Sequence, residues 1–155
     1  MDKVGKLTRI CLDLNFVNCI PEITSFHYIM LVTVGNTYAT YELIDDIIYI
    51  TYRKNVILNL QAAEIVIKDQ FSLHSGLKRG ILCDIRHVKA IDKAARVYMA
   101  REGSILVSAL ALIVDSPVSI MMSEFYLKTS NSAVPTASFK STEEALLFLN
   151  KYKVL

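Results

Sequence analysis

The stretch from Cys83 to Ala95 reads CDIRHVKAIDKAA, and it decides the predicted fold. It overlaps a short apolar run, residues 80–85, whose length is typical of a buried strand. Asp92 then has the residue type and position of a helix N-cap, with Gly103 as a C-terminal stop. The stretch is therefore predicted to lead from a buried strand into a helix.

The chain before this junction predicts a hairpin and a helix. Residues 38–43 and 47–52 are rich in aromatic and β-branched residues and flank Asp45-Asp46, as hairpin strands do. Asn59 is the predicted N-cap of a helix that ends at about His74. A buried stripe is expected on this helix at Leu60, Ala63, Ile67 and Phe71.

The chain after the junction continues the alternation. Residues 105–114 are apolar except for Ser108, as in a strand covered on both faces. Ser116-Pro117 predicts the start of a third helix, with Val118, Met122 and Phe125 on one face. Residues 136–139 predict a short edge strand, and the capping-box pattern of residues 141–144 begins a last helix.

The predicted order is ββαβαβαβα, which indicates the α/β class. We expect a mixed, mostly parallel sheet of 4–6 strands with about four helices in one domain, residues 37–155. Residues 1–36 fit this scheme less well, because Pro21 separates short apolar pieces. They are either an extra edge strand or an N-terminal extension from an early start codon, with Met30 as the alternative start.

Composition excludes several classes of protein. The net charge of +2, with Lys and Arg scattered, favours neither nucleic acid nor an anionic membrane as a partner. The longest apolar run, residues 105–114, is far shorter than the roughly 20 residues of a membrane span. Without a signal-peptide pattern, we expect a cytoplasmic protein whose cysteines are free thiols.

Catalytic and metal motifs are absent from the sequence. His27, His74 and His87 are far apart, and no GxSxG, P-loop or GxGxxG pattern occurs. His74 ends a predicted helix, where a positive charge suits the helix dipole. We therefore expect no enzyme activity, no metal and no cofactor.

Polar residues at the ends of two predicted strands form the candidate binding site. In open α/β sheets, ligands bind outside the carboxyl ends of the strands. The alternative is structural, with an Asp84–Arg86 salt bridge and helix caps at Asp92 and Ser116, and we favour it because these are common capping residues. The candidate binding residues are Asp84, Arg86, His87, Asp92, Ser116 and Ser119, with Asp115 between the two groups.

Residues 83–95 resemble the core pattern of STAS domains, which include anti-sigma-factor antagonists and cytoplasmic domains of sulfate transporters. That pattern runs apolar-Asp-apolar-Ser-x-Val-x-x-Ile-Asp-Ser-Ser-Gly. Asp84, Ile85, Val88, Ile91 and Asp92 match it without gaps. The resemblance implies a regulatory, partner-binding domain.

One departure from the STAS pattern changes what it implies. The antagonists carry a serine at the helix start that the partner kinase phosphorylates. Ala94 stands at that position here, after Lys93, and neither residue accepts phosphate. The resemblance therefore does not imply a phosphorylation switch in this chain. It still implies docking of a partner through the same surface.

A closer resemblance is to an uncharacterised bacterial STAS-like family, called SpoIIAA-like, over residues 38–152. It rests on the pieces DIR at residues 84–86, AARVY at 94–98, SPVS at 116–119, EFYL at 124–127 and VPT at 134–136. The resemblance implies the fold and no established activity.

Two functions remain open at this point. The first is a non-catalytic protein-interaction module that binds an unidentified protein partner or forms a homo-oligomer, most simply a dimer. The second is a binder of a small apolar ligand or lipid, because STAS-like folds resemble CRAL-TRIO domains in the order of their elements. Its cavity would be lined by Met99, Met121, Met122 and Phe125.

Overall fold

A computed structural model describes residues 32–130 and 132–154. Strands and helices alternate over most of this range, as predicted. The strands are β1 (Val32–Gly35), β2 (Ala39–Ile44), β3 (Ile47–Tyr52), β4 (Val56–Leu58), β5 (Arg79–Asp84), β6 (Val88–Ile91), β7 (Val107–Ile113) and β8 (Thr136–Phe139). The helices are α1 (Leu60–His74), α2 (Lys93–Arg101), a short 3-10 turn (Glu102–Ser104), α3 (Pro117–Thr129) and α4 (Thr142–Asn150).

The main sheet has six strands in the order β1-β2-β3-β5-β7-β8. The pairs β1–β2 and β2–β3 are antiparallel, and the remaining three pairs are parallel. The predicted fold class, a mixed and mostly parallel sheet with four helices, is confirmed.

The observed order contains three strands that the predicted order lacks. β1 extends the hairpin at the sheet edge, and β4 pairs with β6 in a separate two-stranded parallel sheet. β4 and β6 are three and four residues long, which is too short for a period-two pattern to be recognised. Their pairing depends on where α1 and α2 place them.

Helices α1, α2 and α3 lie on the same face of the sheet. In the parallel part of the main sheet, β5, β7 and β8 each follow on the same side of the preceding strand. Right-handed crossovers therefore place the helices that connect these strands on the same face of the sheet. The larger core cluster lies there and contains Tyr41, Ile50, Ile81 and Leu112. α4 packs on the opposite face, where Ala145 and Leu149 meet β5 and β7.

The N-terminal segment is described only from Val32 onward. Val32–Gly35 pairs antiparallel with β2 as an edge strand. The proposed alternative start, Met30, and the break at Pro21 lie outside the described residues, as do Cys11, Cys19 and His27. The two interpretations of residues 1–36 therefore stay predictions.

All four helices begin at the predicted N-caps. Asn59, Asp92, Ser116 and Ser141 each accept a hydrogen bond from a backbone N–H of the first turn. Such caps depend on two or three neighbouring residues, which is why the sequence locates them well.

The predicted buried faces of two helices are partly wrong. Leu60 and Phe71 of α1 are exposed, as are Val118 and Phe125 of α3. The α3 side chains that are fully buried are small and polar, Ser119 and Ser123. A stripe of apolar residues predicts which side chains share one face of a helix. The positions of the neighbouring elements decide which face is covered.

The C-terminal end of α1 uses a different cation from the one predicted. Arg79, at the start of β5, donates from Nη1 to the carbonyls of Leu73 and His74. His74 itself is fully buried, and burial lowers its pKa below the usual value, so it is neutral at pH 7. Arg79 therefore supplies the positive charge that favours the helix end.

Candidate functional site

The end of β5 holds an ion pair between Asp84 and Arg86. Arg86 Nε donates to Asp84 Oδ1 at 2.9 Å and Nη2 to Oδ2 at 2.7 Å. The Arg86 backbone N–H also donates to Oδ1, at 3.1 Å. The predicted salt bridge is confirmed, and it closes the loop that leaves the strand.

Burial and charge act in opposite directions on the Asp84 carboxyl, which is 8% exposed. Burial alone raises its pKa, but the hydrogen bonds and charge of Arg86 outweigh burial and hold the pKa below its usual value. Asp84 is therefore ionised at neutral pH and fully occupied by Arg86.

Two exposed residues share the electrostatic environment of this pair. The charge of His87 contributes to lowering the pKa of Asp84, and the charge of Asp115 contributes to raising the pKa of Arg86. The ends of β5 and β7 therefore bring Asp84, Arg86, His87 and Asp115 together. Of these four, all but Asp84 are exposed to solvent.

Ser116 and Ser119 form a reciprocal capping box at the start of α3. The Ser119 N–H donates to Ser116 Oγ at 3.2 Å, and the Ser116 N–H donates to Ser119 Oγ at 3.1 Å. The Ser119 hydroxyl also donates to the Ser116 carbonyl at 3.1 Å. Both side chains therefore serve the helix start, and the Ser-x-x-Ser spacing is the signal that sequence reasoning missed.

Asp92 lies apart from the Asp84–Arg86 pair, because β6 runs between them. Asp92 Oδ1 accepts from the Ala95 N–H at 2.7 Å, and the Asp92 N–H donates to Leu58 O at 3.0 Å. Among the described residues, no hydrogen bond joins Asp92 to Asp84 or Arg86. The six candidate residues thus occupy two places, and Asp92 belongs with α2.

The start of α2 carries a shallow depression that we call the Ala94 surface. Ala94 is exposed there, and the same lining contains Val97, which is 44% exposed, and Leu60, which is 40% exposed. Exposed apolar side chains thus share a depression with the position that aligns with the phosphorylated serine of the STAS pattern. The Ala94 surface consists of Leu60, Lys93, Ala94, Val97, Tyr98, Arg101 and Glu102.

A second concave feature is an apolar cavity of about 90 Å³ between the sheet and helices α2 and α3. Met99 and Met122 line it, as predicted. Met121 and Phe125 do not, and Met121 is 64% exposed. Met121 and Phe125 lie on the exposed side of α3, whereas Met122, Ser123 and Tyr126 lie on the side that lines the cavity.

Cys83 lies in the wall of this cavity as a free, buried thiol. Burial raises its pKa to about 12, so the thiol stays protonated at neutral pH. The cysteine behaves as the small buried hydrophobe that its place in an apolar strand predicted.

Within residues 32–130 and 132–154, no group of three His, Cys, Asp or Glu side chains is placed to hold a metal ion. No helix in these ranges is both long enough and apolar enough to cross a bilayer.

Comparison with known proteins identifies the family. Residues 41–153 match the family model described as "Domain of unknown function (DUF7793)". The chain belongs to this family. The DUF7793 match contains the Asp84–Arg86 pair, the Ala94 surface and the residues that line the cavity. No curated protein matches the chain.

A solved structure agrees with the fold. The DUF7793 chain is similar to the crystal structure of an uncharacterized protein from the DUF3478 family, with a SpoIIAA-like fold, from Shewanella loihica PV-4. The TM-score is 0.51 at 12% identity, over 83% of this chain and 98% of that chain. At this identity the likeness establishes a SpoIIAA-like fold and nothing about activity.

Proposed function

We propose that this chain is a non-catalytic interaction module, related to the STAS antagonists, that docks a protein partner through the Ala94 surface. The observation that carries the proposal is the exposure of Leu60, Ala94 and Val97 at the start of α2. The STAS resemblance places the regulatory serine of the antagonists at this same position.

The chemistry of the Ala94 surface supports docking of a protein. Its lining combines the apolar side chains of Leu60, Ala94 and Val97 with the charged side chains of Lys93, Arg101 and Glu102. Protein interfaces likewise combine apolar contacts with polar groups. Ala94 has no hydroxyl group and accepts no phosphate. Phosphorylation at this position therefore does not interrupt binding of the partner.

The hydrogen bonds of the strand-end residues support a non-catalytic role. Asp84 is occupied by Arg86, and Ser119 by the α3 capping box. A nucleophile or general base needs a side chain within reach of both substrate and a proton partner. The exposed groups Arg86, His87 and Asp115 instead form a polar surface at the ends of β5 and β7, apart from the Ala94 surface.

The proposal is tested with Leu60→Glu and Val97→Glu, which place a charge in the centre of the Ala94 surface. Leu147→Glu is the matched control, because Leu147 is 68% exposed on α4, on the opposite face of the sheet. Light scattering coupled to size exclusion measures self-association, and a pull-down from the source cell measures binding of other proteins.

We expect the wild type and Leu147→Glu to self-associate or to retain the same partner, and both Ala94-surface variants to lose that binding. A wild-type chain that stays monomeric and retains nothing would refute the proposal. Loss of binding in Val118→Glu, with Leu60→Glu and Val97→Glu unaffected, would place docking on α3 and also contradict it.

A further inference from the structure

The apolar cavity lies between strands β3, β5 and β7 on one side and helices α2 and α3 on the other. Its walls come from the sheet at Ile50, Ile81 and Leu112 and from the helices at Met99 and Met122. Only part of α3 packs tightly, since Ser119 and Ser123 are its buried residues. The space between the sheet and α3 therefore stays open.

Three polar side chains in the cavity wall, those of Gln70, Ser104 and Ser123, are already hydrogen-bonded to backbone carbonyls. Ser123 Oγ donates to Ile120 O at 2.8 Å, and Ser104 Oγ donates to Ala100 O at 2.5 Å. Gln70 Nε2 donates to Gly103 O at 3.0 Å. With these donors occupied and the Cys83 thiol protonated, most of the wall offers a ligand apolar contact.

Arg96 of α2 differs from the rest of the cavity wall because its side chain is charged. It reaches α3 at the side of the cavity. Its Nη1 donates to Ile91 O at 3.0 Å, and its guanidinium carbon lies 4.5 Å from the centre of the Phe125 ring on α3. Among the described residues that line the cavity, Arg96 alone is charged. No carboxylate in the described ranges lies within salt-bridge distance of it.

We propose that this cavity binds a compact hydrocarbon carboxylate, with its apolar body inside and its carboxylate on Arg96. A guanidinium with free N–H groups is the side chain best suited to bind a carboxylate. The apolar wall excludes hydrophilic anions of the same charge. This inference is independent of the Ala94 surface, which lies on the outer side of α2.

The volume of the cavity restricts the length of the ligand. An engineered protein cavity of roughly 150 Å³ holds benzene. The cavity here, about 90 Å³, is smaller, so it accommodates a short branched chain such as that of isovalerate. A whole lipid chain does not fit, because pockets for drug-sized ligands already measure roughly 300–1,000 Å³.

The test is a titration of the full chain with isovalerate, followed by methyl and amide chemical shifts. Isoamyl alcohol has the same hydrocarbon body without the charge, and octanoate has the charge with a longer body. We expect saturable shifts at Ile81, Leu112 and Met122 with isovalerate, and at least about tenfold weaker binding of the other two compounds.

Two substitutions and one control locate the site. Ser123→Leu fills the cavity and should abolish binding, while Arg96→Gln removes the charge and should weaken it about tenfold. Met121→Leu, on the exposed side of α3, should bind as the wild type does. Thermal unfolding shows whether each variant is folded, and the wild-type shift map locates the site even if Ser123→Leu does not fold.

Several outcomes would overturn the inference. Absence of saturable shifts in the wild-type chain refutes binding of this class of ligand. Unchanged affinity in a folded Ser123→Leu variant places the ligand elsewhere. Equal affinities for isovalerate and isoamyl alcohol refute the role of Arg96. Leu60→Glu and Val97→Glu should leave the titration unchanged, which separates this inference from the proposed docking function.

Discussion

Arg86 stabilises a carboxylate that is almost wholly buried at the end of β5. In Arg86→Ala the Asp84 carboxylate keeps its burial and loses both side-chain hydrogen bonds. We expect the free energy of unfolding to fall by roughly 1–3 kcal/mol at pH 7, measured by urea denaturation. Lys128→Ala is the control, since its pair with Glu124 is exposed and should contribute at most about 0.5 kcal/mol.

The same pair predicts a pH dependence. The pKa of Asp84 is lowered in the folded chain, so its contribution to stability is present above the unfolded pKa of about 3.9 and is lost as the pH falls through the lower, folded value. The difference between wild type and Arg86→Ala should therefore shrink below about pH 4. A constant difference across this range would contradict the assigned role.

His74 predicts a second pH dependence, in a higher range. Burial lowers its pKa in the folded chain, so the unfolded chain binds the proton more readily and stability falls as the pH drops below about 6.5. His74 Nδ1 is 3.1 Å from Leu77 O, and an Asn side chain at this position retains a donor there.

We expect His74→Asn to flatten the loss of stability between about pH 7 and pH 5. Denaturant unfolding at a series of pH values provides the measurement. His87→Asn is the matched control, because His87 is exposed, and it should leave the slope in place. A wild-type slope that persists in His74→Asn would assign it to another group.

At the scale of elements, the 3-10 turn after α2 packs against α1 through a glycine. A Cβ atom added at Gly103 would lie 2.8 Å from Ile67 Cδ1. Gly103→Ala should therefore lower the free energy of unfolding by about 1 kcal/mol, because the terminal methyl group of Ile67 must move. Chemical denaturation measures the change.

A double variant separates this packing effect from other effects of the substitution. Ile67→Val removes the atom that the new methyl group meets. Gly103→Ala combined with Ile67→Val should therefore be more stable than the sum of the two single changes predicts. Strictly additive losses would indicate that the cost of Gly103→Ala has another origin.

The elements also show what the sequence predicts and what it does not. The helix starts at Asn59, Asp92, Ser116 and Ser141 were predicted because a cap is determined by its immediate neighbours. The strand β6 was missed because four residues carry too little pattern, and its partner β4 lies about 30 positions earlier in the chain.

The candidate site also contains some contacts that the sequence predicts and others that it does not. The pairing of Asp84 with Arg86 was predicted because both residues lie at one strand end. The stacking of Arg96 on Phe125, and the outward direction of Met121, depend on the distance between α2 and α3. That distance is set by packing on the sheet, and no local pattern in the sequence records it.

At the scale of the whole molecule, one face of the sheet is covered by three helices and the other by α4. Among the described elements, α4 is the helix that covers Leu82, Ala109 and Ile113 of the central strands. A chain truncated after Lys140 should therefore bind a hydrophobic dye and aggregate, measured by dye fluorescence and light scattering. A monomeric truncated chain without dye binding would contradict this.

The strand order has a consequence for synthesis on the ribosome. From β3 onward, each new strand of the main sheet, namely β5, β7 and β8, joins the edge formed by the preceding strand of that sheet. The nascent chain can therefore assemble the main sheet in the direction of translation, without waiting for a later segment to be inserted between two earlier strands. Among the described elements, α4 is the last to emerge, and it packs across β5, β7 and β8, which all precede it.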